Sequence, residues 1–283
     1  MPDEQLWVKL GESLERMAAG FPGVAGISVR DLARERSLGV NQSEVFPTAS
    51  TIKIHILLRL LDLELKGQLD LDEMIQVSDL PPVPGSGVLN YLDGEVSLSR
   101  RDVAVLMIIV SDNLATNLCI DWAGIEATNR MLEGLGLKET RLRRKMQDYR
   151  AVAEDRENVS TPEELTSLLA GLYRGEKFPA PVIEEALRIL KKPKKSYLAR
   201  GLPPDAVVAG KPGAMDRVRC DAGIVYQSRR PYAVAVMTKF GLVEPREQED
   251  FLAEVTAAVH RVMSALDQSS GLGQGIPLQP PEA

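Results

Sequence analysis

From residue 207 the spacing of apolar side chains changes from the three-to-four step of a helix to the alternate step of a strand. That change constrains the fold more than any other feature of the chain. "VVAGKPG", "CDAGIVYQ" and "RPYAVAVMTKF" are extended runs, and the short "SRR" between the last two predicts an antiparallel hairpin. Matching strand signals recur near the N-terminus, where "GVAGISVRDL" and "SLGVNQ" can pair as a second hairpin. Everything between reads as helix. A sheet fed from both ends of a chain has to bring those ends together, so the pattern predicts an α/β (α+β) fold, an antiparallel sheet flanked by helices plus an inserted all-helical lobe. The expected boundaries are 1–47 and 190–268 for the sheet lobe and 48–189 for the inserted lobe. A Gly/Pro-rich tail over 269–283 is expected to be disordered.

Helix signals punctuate the middle. "IHILLRLLDLELKG" stops at Gly67, a C-cap residue, and "LSRRDVAVLMIIVSDNLATNLCIDWAG" reads as two helices broken near Ser111 and stopped by Gly124. "STPEEL" offers Thr161 as N-cap, Pro162 at N1 and Glu164 at N3, a capping-box start. With 283 residues and 44% hydrophobic content the chain can bury a large core. Its net charge of -6 argues against a nucleic acid or an anionic membrane surface as partner, because both need a basic face. No run approaches the roughly 18 apolar residues of a membrane span, and the first residues lack the order of an export signal. The chain as written is therefore expected in the cytoplasm, or in the periplasm or outside the cell if its N-terminus was trimmed. Cys119 and Cys220 read as buried thiols. Beside His55 and His260 they make no metal-ligand spacing, so neither metal nor cofactor is expected.

Chemistry enters with "PTASTIKIHILLRLL", where Ser50 and Lys53 stand one helical turn apart at the head of an apolar run. Residues at i and i+3 share a helix face, so the two side chains are expected to hydrogen-bond. A serine hydroxyl becomes nucleophilic when a base takes its proton, and a lysine is such a base only when burial keeps it neutral. S-x-x-K alone is weak, since about one chance match is expected in a chain this long. "SDN" at residues 111–113 is far rarer by chance and sits at the break between two helices. Its plain alternative is that Asp112 or Ser111 caps the second helix. "KPGA" at residues 211–214 lies on one of the extended runs.

In this order and at these spacings, the three motifs resemble the S-x-x-K, S-D-N and K-T-G signature of class A β-lactamases and related penicillin-binding serine hydrolases. "FPTAST", "IVSDNLATNLCID", "TRLRR", "STPEEL" and "RCDAGIVY" extend the resemblance over most of the chain. It implies a β-lactamase/DD-peptidase-like fold, a monomer, and a small-molecule β-lactam or ester substrate. By the same resemblance Ser50 is the nucleophile that forms an acyl-enzyme and Lys53 draws its proton. Ser111 relays a proton to the leaving nitrogen. Lys211 holds Ser111 and the substrate carboxylate, with Arg219 as a second cation. Asn113 binds the substrate's side-chain amide, and Gly213 and Ala214 line the cleft, the N–H groups of Ser50 and Ala214 forming the oxyanion hole.

Two departures bear on turnover. Pro212 replaces the threonine of K-T-G, removing a hydroxyl and a backbone donor. Counting from Thr140 puts Met146 where the family has the glutamate that activates water for deacylation. A two-residue shift would bring Asp148 there as substitute base, whereas Glu154, Asp155 and Glu157 read as a solvated helix face. With a base the chain is a β-lactam hydrolase. Without one it is a penicillin-binding type of DD-peptidase or esterase with slow deacylation, or a non-catalytic binding module for β-lactams or peptidoglycan fragments, against which the intact Ser50, Lys53, Ser111 and Lys211 argue.

Overall fold

The structure, a computed structural model, describes residues 3–77 and 80–276. The N-terminal helix α1 (Glu4–Gly20) leads into strands β1 (Val24–Asp31), β2 (Arg36–Val40) and β3 (Phe46–Pro47). A helical middle follows: α2 (Lys53–Leu65), then β4 (Met74–Gln76) and β5 (Ser97–Ser99), then α3 (Arg100–Ile109), α4 (Asn113–Ala123), α5 (Ile125–Gly134) and α6 (Tyr149–Ala153). After β6 (Val159–Ser160) come α7 (Pro162–Arg174) and α8 (Ala180–Leu190), strands β7 (Val208–Met215), β8 (Val218–Val225) and β9 (Tyr232–Lys239), and helix α9 (Pro245–Asp267).

The five long strands form one antiparallel sheet in the order β2-β1-β9-β8-β7, so N-terminal β1 inserts beside C-terminal β9 as the period change requires. The sheet is covered on both faces, and β9 shows how its sequence sorts them. Tyr232, Val234 and Val236 face a core shared with α1 and α9. The alternate residues Ala233, Ala235 and Met237 face the core shared with the helical middle. Small side chains on that second face let α7 and β3 approach closely; a Cβ on Gly26 would come within 2.5 Å of the Phe46 ring and 2.9 Å of Pro162. Each large aliphatic side chain fully buried in these cores contributes roughly 1.5–3 kcal/mol.

The local signals act as read. Gly67 takes a left-handed φ of 65° after α2, and Gly124 one of 73° after α4. Thr161 Oγ1 accepts the Glu164 N–H at 3.1 Å, but the Glu164 carboxylate does not fold back on the cap. It accepts instead from the N–H groups of Glu139 (2.9 Å) and Thr140 (2.7 Å), tying α7 to the start of the 141–158 loop. That loop also differs from expectation: α6 ends at Ala153, so 154–157 form no solvated helix face. Ser269–Gly275 closes a turn through a β-bridge, and the rest of the tail that was expected to be disordered, 277–283, lies outside the described residues. Among the described residues no helix is long and apolar enough to cross a membrane.

Candidate active site

Helix α2 is buried along nearly its whole length, with Ile54, Ile56, Leu57, Leu58 and Leu60 fully buried and its partly wet positions, Arg59, Glu64 and Leu65, confined to its second half. The first turns of such a helix offer no wet side for a lysine to choose. Lys53, its first residue, is accordingly 0% exposed. Just ahead, residues Ala49–Ile52 form a 3-10 turn, not α-helix. The segment is anchored by Thr48, whose N–H (2.9 Å) and hydroxyl (3.0 Å) both donate to the Asn158 carbonyl. Edge strand β7 crosses it so tightly that a Cβ on Gly213 would lie 2.7 Å from the Ser50 nitrogen and 2.8 Å from the Thr48 carbonyl. Glycine is needed there for closeness of approach.

The side chains of Ser50 and Lys53 do not bond each other directly, as their spacing on a regular helix suggested. They meet through Ser111. The Lys53 amine donates to the Ser111 carbonyl (2.9 Å) and hydroxyl (3.0 Å), and to Asn113 Oδ1 at 3.5 Å. Ser111 Oγ in turn lies 2.8 Å from Ser50 Oγ, and Lys211 donates to it at 3.1 Å. One hydroxyl is therefore shared by the serine and both lysines. Ser111 reaches this position with a left-handed φ of 56°, and Ala49 (46°) and Gln147 (63°) around the same cleft are also left-handed. Non-glycine residues in that region cost of order 1 kcal/mol or more and persist where packing imposes them.

Asp112 resolves the two readings of "SDN". Its carboxylate caps α4 at the Ala115 N–H (2.9 Å) and also accepts from Val88 (2.7 Å) and Leu89 (2.9 Å), pinning the 85–89 loop over the cleft. Asn113 holds the same loop, its N–H donating to the Ser86 carbonyl at 2.9 Å and its Nδ2 to Pro84 at 2.9 Å. The capping role and the cleft-facing role thus fall to neighbouring residues.

Burial pushes the Lys53 amine well below the ordinary lysine range, and the like charge of Lys211 adds to it. Lys211, 1% exposed, is itself lowered to about 7, mainly by burial. Pro212 is accommodated because β7 is the edge of the sheet, where a missing N–H costs no ladder bond. Its carbonyl accepts from Lys211 at 3.0 Å.

Two cavities of about 580 Å³ each meet at Ser50, Ser86 and Ala214. One runs past Ser111 and Lys211 and is walled by Lys194, Lys195 and Arg219 against a single carboxylate, Glu249. Arg219 is braced there by the Met215 (2.7 Å) and Val218 (2.8 Å) carbonyls, with Nε 3.6 Å from Glu249. This wall is cationic in a chain of net charge -6. The other cavity runs past Asn113 toward Met146, Tyr149, Val152 and Met215.

Asp148 is not brought to either cavity. Its carboxylate caps α6 at the Ala151 N–H, 3.0 Å away. Met146 faces the second cavity, its backbone clamped by Asn117 through bonds of 2.7 and 3.2 Å. Glu157 lines that cavity too, but both of its oxygens are engaged by buried Arg144, at 2.9 and 2.7 Å. Asn117, the 85–89 loop, Lys194 and the Arg144 pair were not singled out by the motifs; the Pro/Gly density of "PPVPGSG" is a signal from which the loop could have been found. Cys119 and Cys220 are both buried and free.

Fold and site together define a serine hydrolase of the β-lactamase type. The chain belongs to the beta-lactamase enzyme family, whose model matches residues 9–263. A beta-lactamase of Bacteroides uniformis is 25% identical over 90% of this chain and 91% of its own length. An imipenem-hydrolyzing beta-lactamase of Enterobacter cloacae is 24% identical over 87% and 86%. Among solved structures, PBP-A superposes with a TM-score of 0.81 at 28% identity, covering 90% of this chain and 96% of that one. A beta-lactamase from Sphaerobacter thermophilus reaches 0.84 at 26% identity, covering 91% and 98%. A variant of PBP-A solved as an acyl-enzyme complex with penicillin G reaches 0.82 at 28%, covering 91% and 97%.

Proposed function

We propose that this hydrolase opens a β-lactam, or the peptide-type amide that a β-lactam mimics, through an ester on Ser50, and that hydrolysis of the ester is its slow step. The observation that carries the reading is the sharing of Ser111 Oγ among Ser50, Lys53 and Lys211. A neutral Lys53 takes a proton from the Ser111 hydroxyl as Ser111 takes one from Ser50, and Ser50 Oγ attacks the carbonyl carbon. The C–N bond breaks as the proton returns through Ser111 to the leaving nitrogen. The N–H groups of Ser50 and Ala214 hold the oxyanion, each worth about 3 kcal/mol. Lys211 and Arg219 hold a carboxylate on the leaving side, and Asn113 holds an amide on the acyl side.

Slow deacylation is supported by the loop. Met146, at the glutamate position, has no proton to exchange; Asp148 is occupied as a cap, and Glu157 is neutralised by Arg144. Mixing with benzylpenicillin and following the intact mass tests the reading. Wild type should gain the mass of the whole antibiotic and keep it, whereas Ser50→Ala should gain nothing. An undiminished adduct on Ser50→Ala removes Ser50 as nucleophile.

A further inference from the structure

The cavity on the Ser111 side of Ser50 carries more positive charge than the reaction as proposed uses. Lys211 and Arg219 suffice for one carboxylate beside the leaving nitrogen. The same cavity of about 580 Å³ is also lined by Lys194 and Lys195, from the "KKPKK" stretch that follows α8. Asp221 of β8 ties that stretch to the sheet, its carboxylate accepting from Ser196 Oγ (2.8 Å) and from the N–H groups of Tyr197 (2.7 Å) and Leu198 (3.1 Å). Opposing charge is scarce on this wall. Glu249, the one carboxylate among the lining residues, is approached by three cations at once, Lys195 at 3.4 Å and Arg200 and Arg219 at 3.6 Å each. Lys194 is half-buried, and its amine donates to the Leu190 and Lys192 carbonyls, both at 2.6 Å. Burial lowers it to about 8, while Asp221 favours its charge, so it stays cationic at neutral pH. Four cationic residues thus line the cavity against one carboxylate, and a single substrate carboxylate leaves positive charge unmatched even with Asp221 counted beside it.

Unmatched charge of one sign in a cleft draws ligands of the other sign. Ser111 Oγ, the proton route to the leaving nitrogen in the proposed reaction, lines this cavity, so the group that departs in acylation is the one that meets the lysines. We infer that Lys194 and Lys195 form a specificity-determining site for a second anion on the leaving group, and that the preferred substrate is the amide of an amine bearing two carboxylates. The carboxylate beside the nitrogen goes to Lys211 and Arg219. The second, on the side chain of the leaving half, goes to Lys194 and Lys195.

This inference rests on the Ser50 acylation reading, and the test separates the two. The probes are the N-benzoylglycyl thioesters of mercaptosuccinate and of 2-mercaptobutanoate, which deliver the same acyl group and differ on the leaving side by a carboxymethyl in place of an ethyl group. The readout is the second-order rate at which the protein gains the shared acyl mass, with benzylpenicillin run alongside. At low salt wild type should acylate about fivefold faster with the mercaptosuccinate ester, the size that partly exposed ion pairs give, and high salt should shrink the ratio. Lys194→Gln with Lys195→Gln should bring the ratio to about one, whereas Lys194→Arg with Lys195→Arg should keep it. A ratio near one on wild type, or an unchanged ratio in the glutamine variant, overturns the second-anion site. An adduct with benzylpenicillin but with neither ester also overturns that site and leaves the acylation reading standing. No adduct with any of the three probes overturns both.

Discussion

The two walls of the cleft are built from the same sort of polar residues but use them in opposite ways. On the wall formed by α2, the α3–α4 break and β7, the side chains of Ser50, Lys53, Ser111 and Lys211 turn toward one another and are satisfied by one another. On the side of the 141–158 loop, the carboxylates nearest the cleft are committed to the loop itself, Asp148 to the α6 cap outside the cavities and Glu157, which lines one, to Arg144. Proton transfer needs a group whose lone pair or proton is not already claimed by structure. The first wall keeps such a group by stripping charge from Lys53, while the second spends its carboxylates on holding its own shape.

The comparison is broken most severely at Lys53. Lys53→Ala should slow adduct formation about a thousandfold, the size of general-base contributions, measured by stopped intact-mass time courses beside a melting curve that confirms folding. Near wild-type acylation would mean the first wall does not work through this amine. Met146→Glu reverses the contrast by placing a free carboxylate on the second wall, on a backbone already fixed by Asn117. It should shorten the adduct lifetime by at least about tenfold, with acylation little altered. An unchanged lifetime would show that the loop stands too far from the ester.

Proton occupancy sharpens the contrast further. Acylation needs Lys53 neutral and Lys211 charged. Lys53, held well below the usual range, regains its proton as pH falls, which gives the acid limb. Lys211, lowered to about 7, loses its proton as pH rises, which gives an alkaline limb centred near that value. The acylation rate should thus be bell-shaped, whereas deacylation, which the second wall does not assist, should lack that shape. A flat acylation profile between pH 5 and 9 would contradict the role of the buried lysines. The smallest expected effect is at Asp148: Asp148→Ala should cost about 1 kcal/mol in denaturant unfolding through the lost cap while leaving the adduct lifetime as it was. A prolonged lifetime would restore Asp148 as a base.

Much was determined along the chain itself. The period change at residue 207, the caps at Gly67, Gly124 and Thr161, and the apolar run after Lys53 are local preferences that each act within a few residues, so they can be read without knowing the fold. The three motifs could be read together because each places its reactive side chain at a sharp local feature: a turn, a helix break or an edge strand. Tertiary structure decided what those features meet. That Ser111 stands between Ser50 and Lys53, that Glu164 leaves its capping box for Thr140, and that Asp148 turns to α6 while Met146 and Tyr149 face the cavity all depend on which partner is nearest in space. A carboxylate goes to the strongest donors within its reach, and for residues separated by many positions that reach is set by packing, which spacing along the chain does not encode.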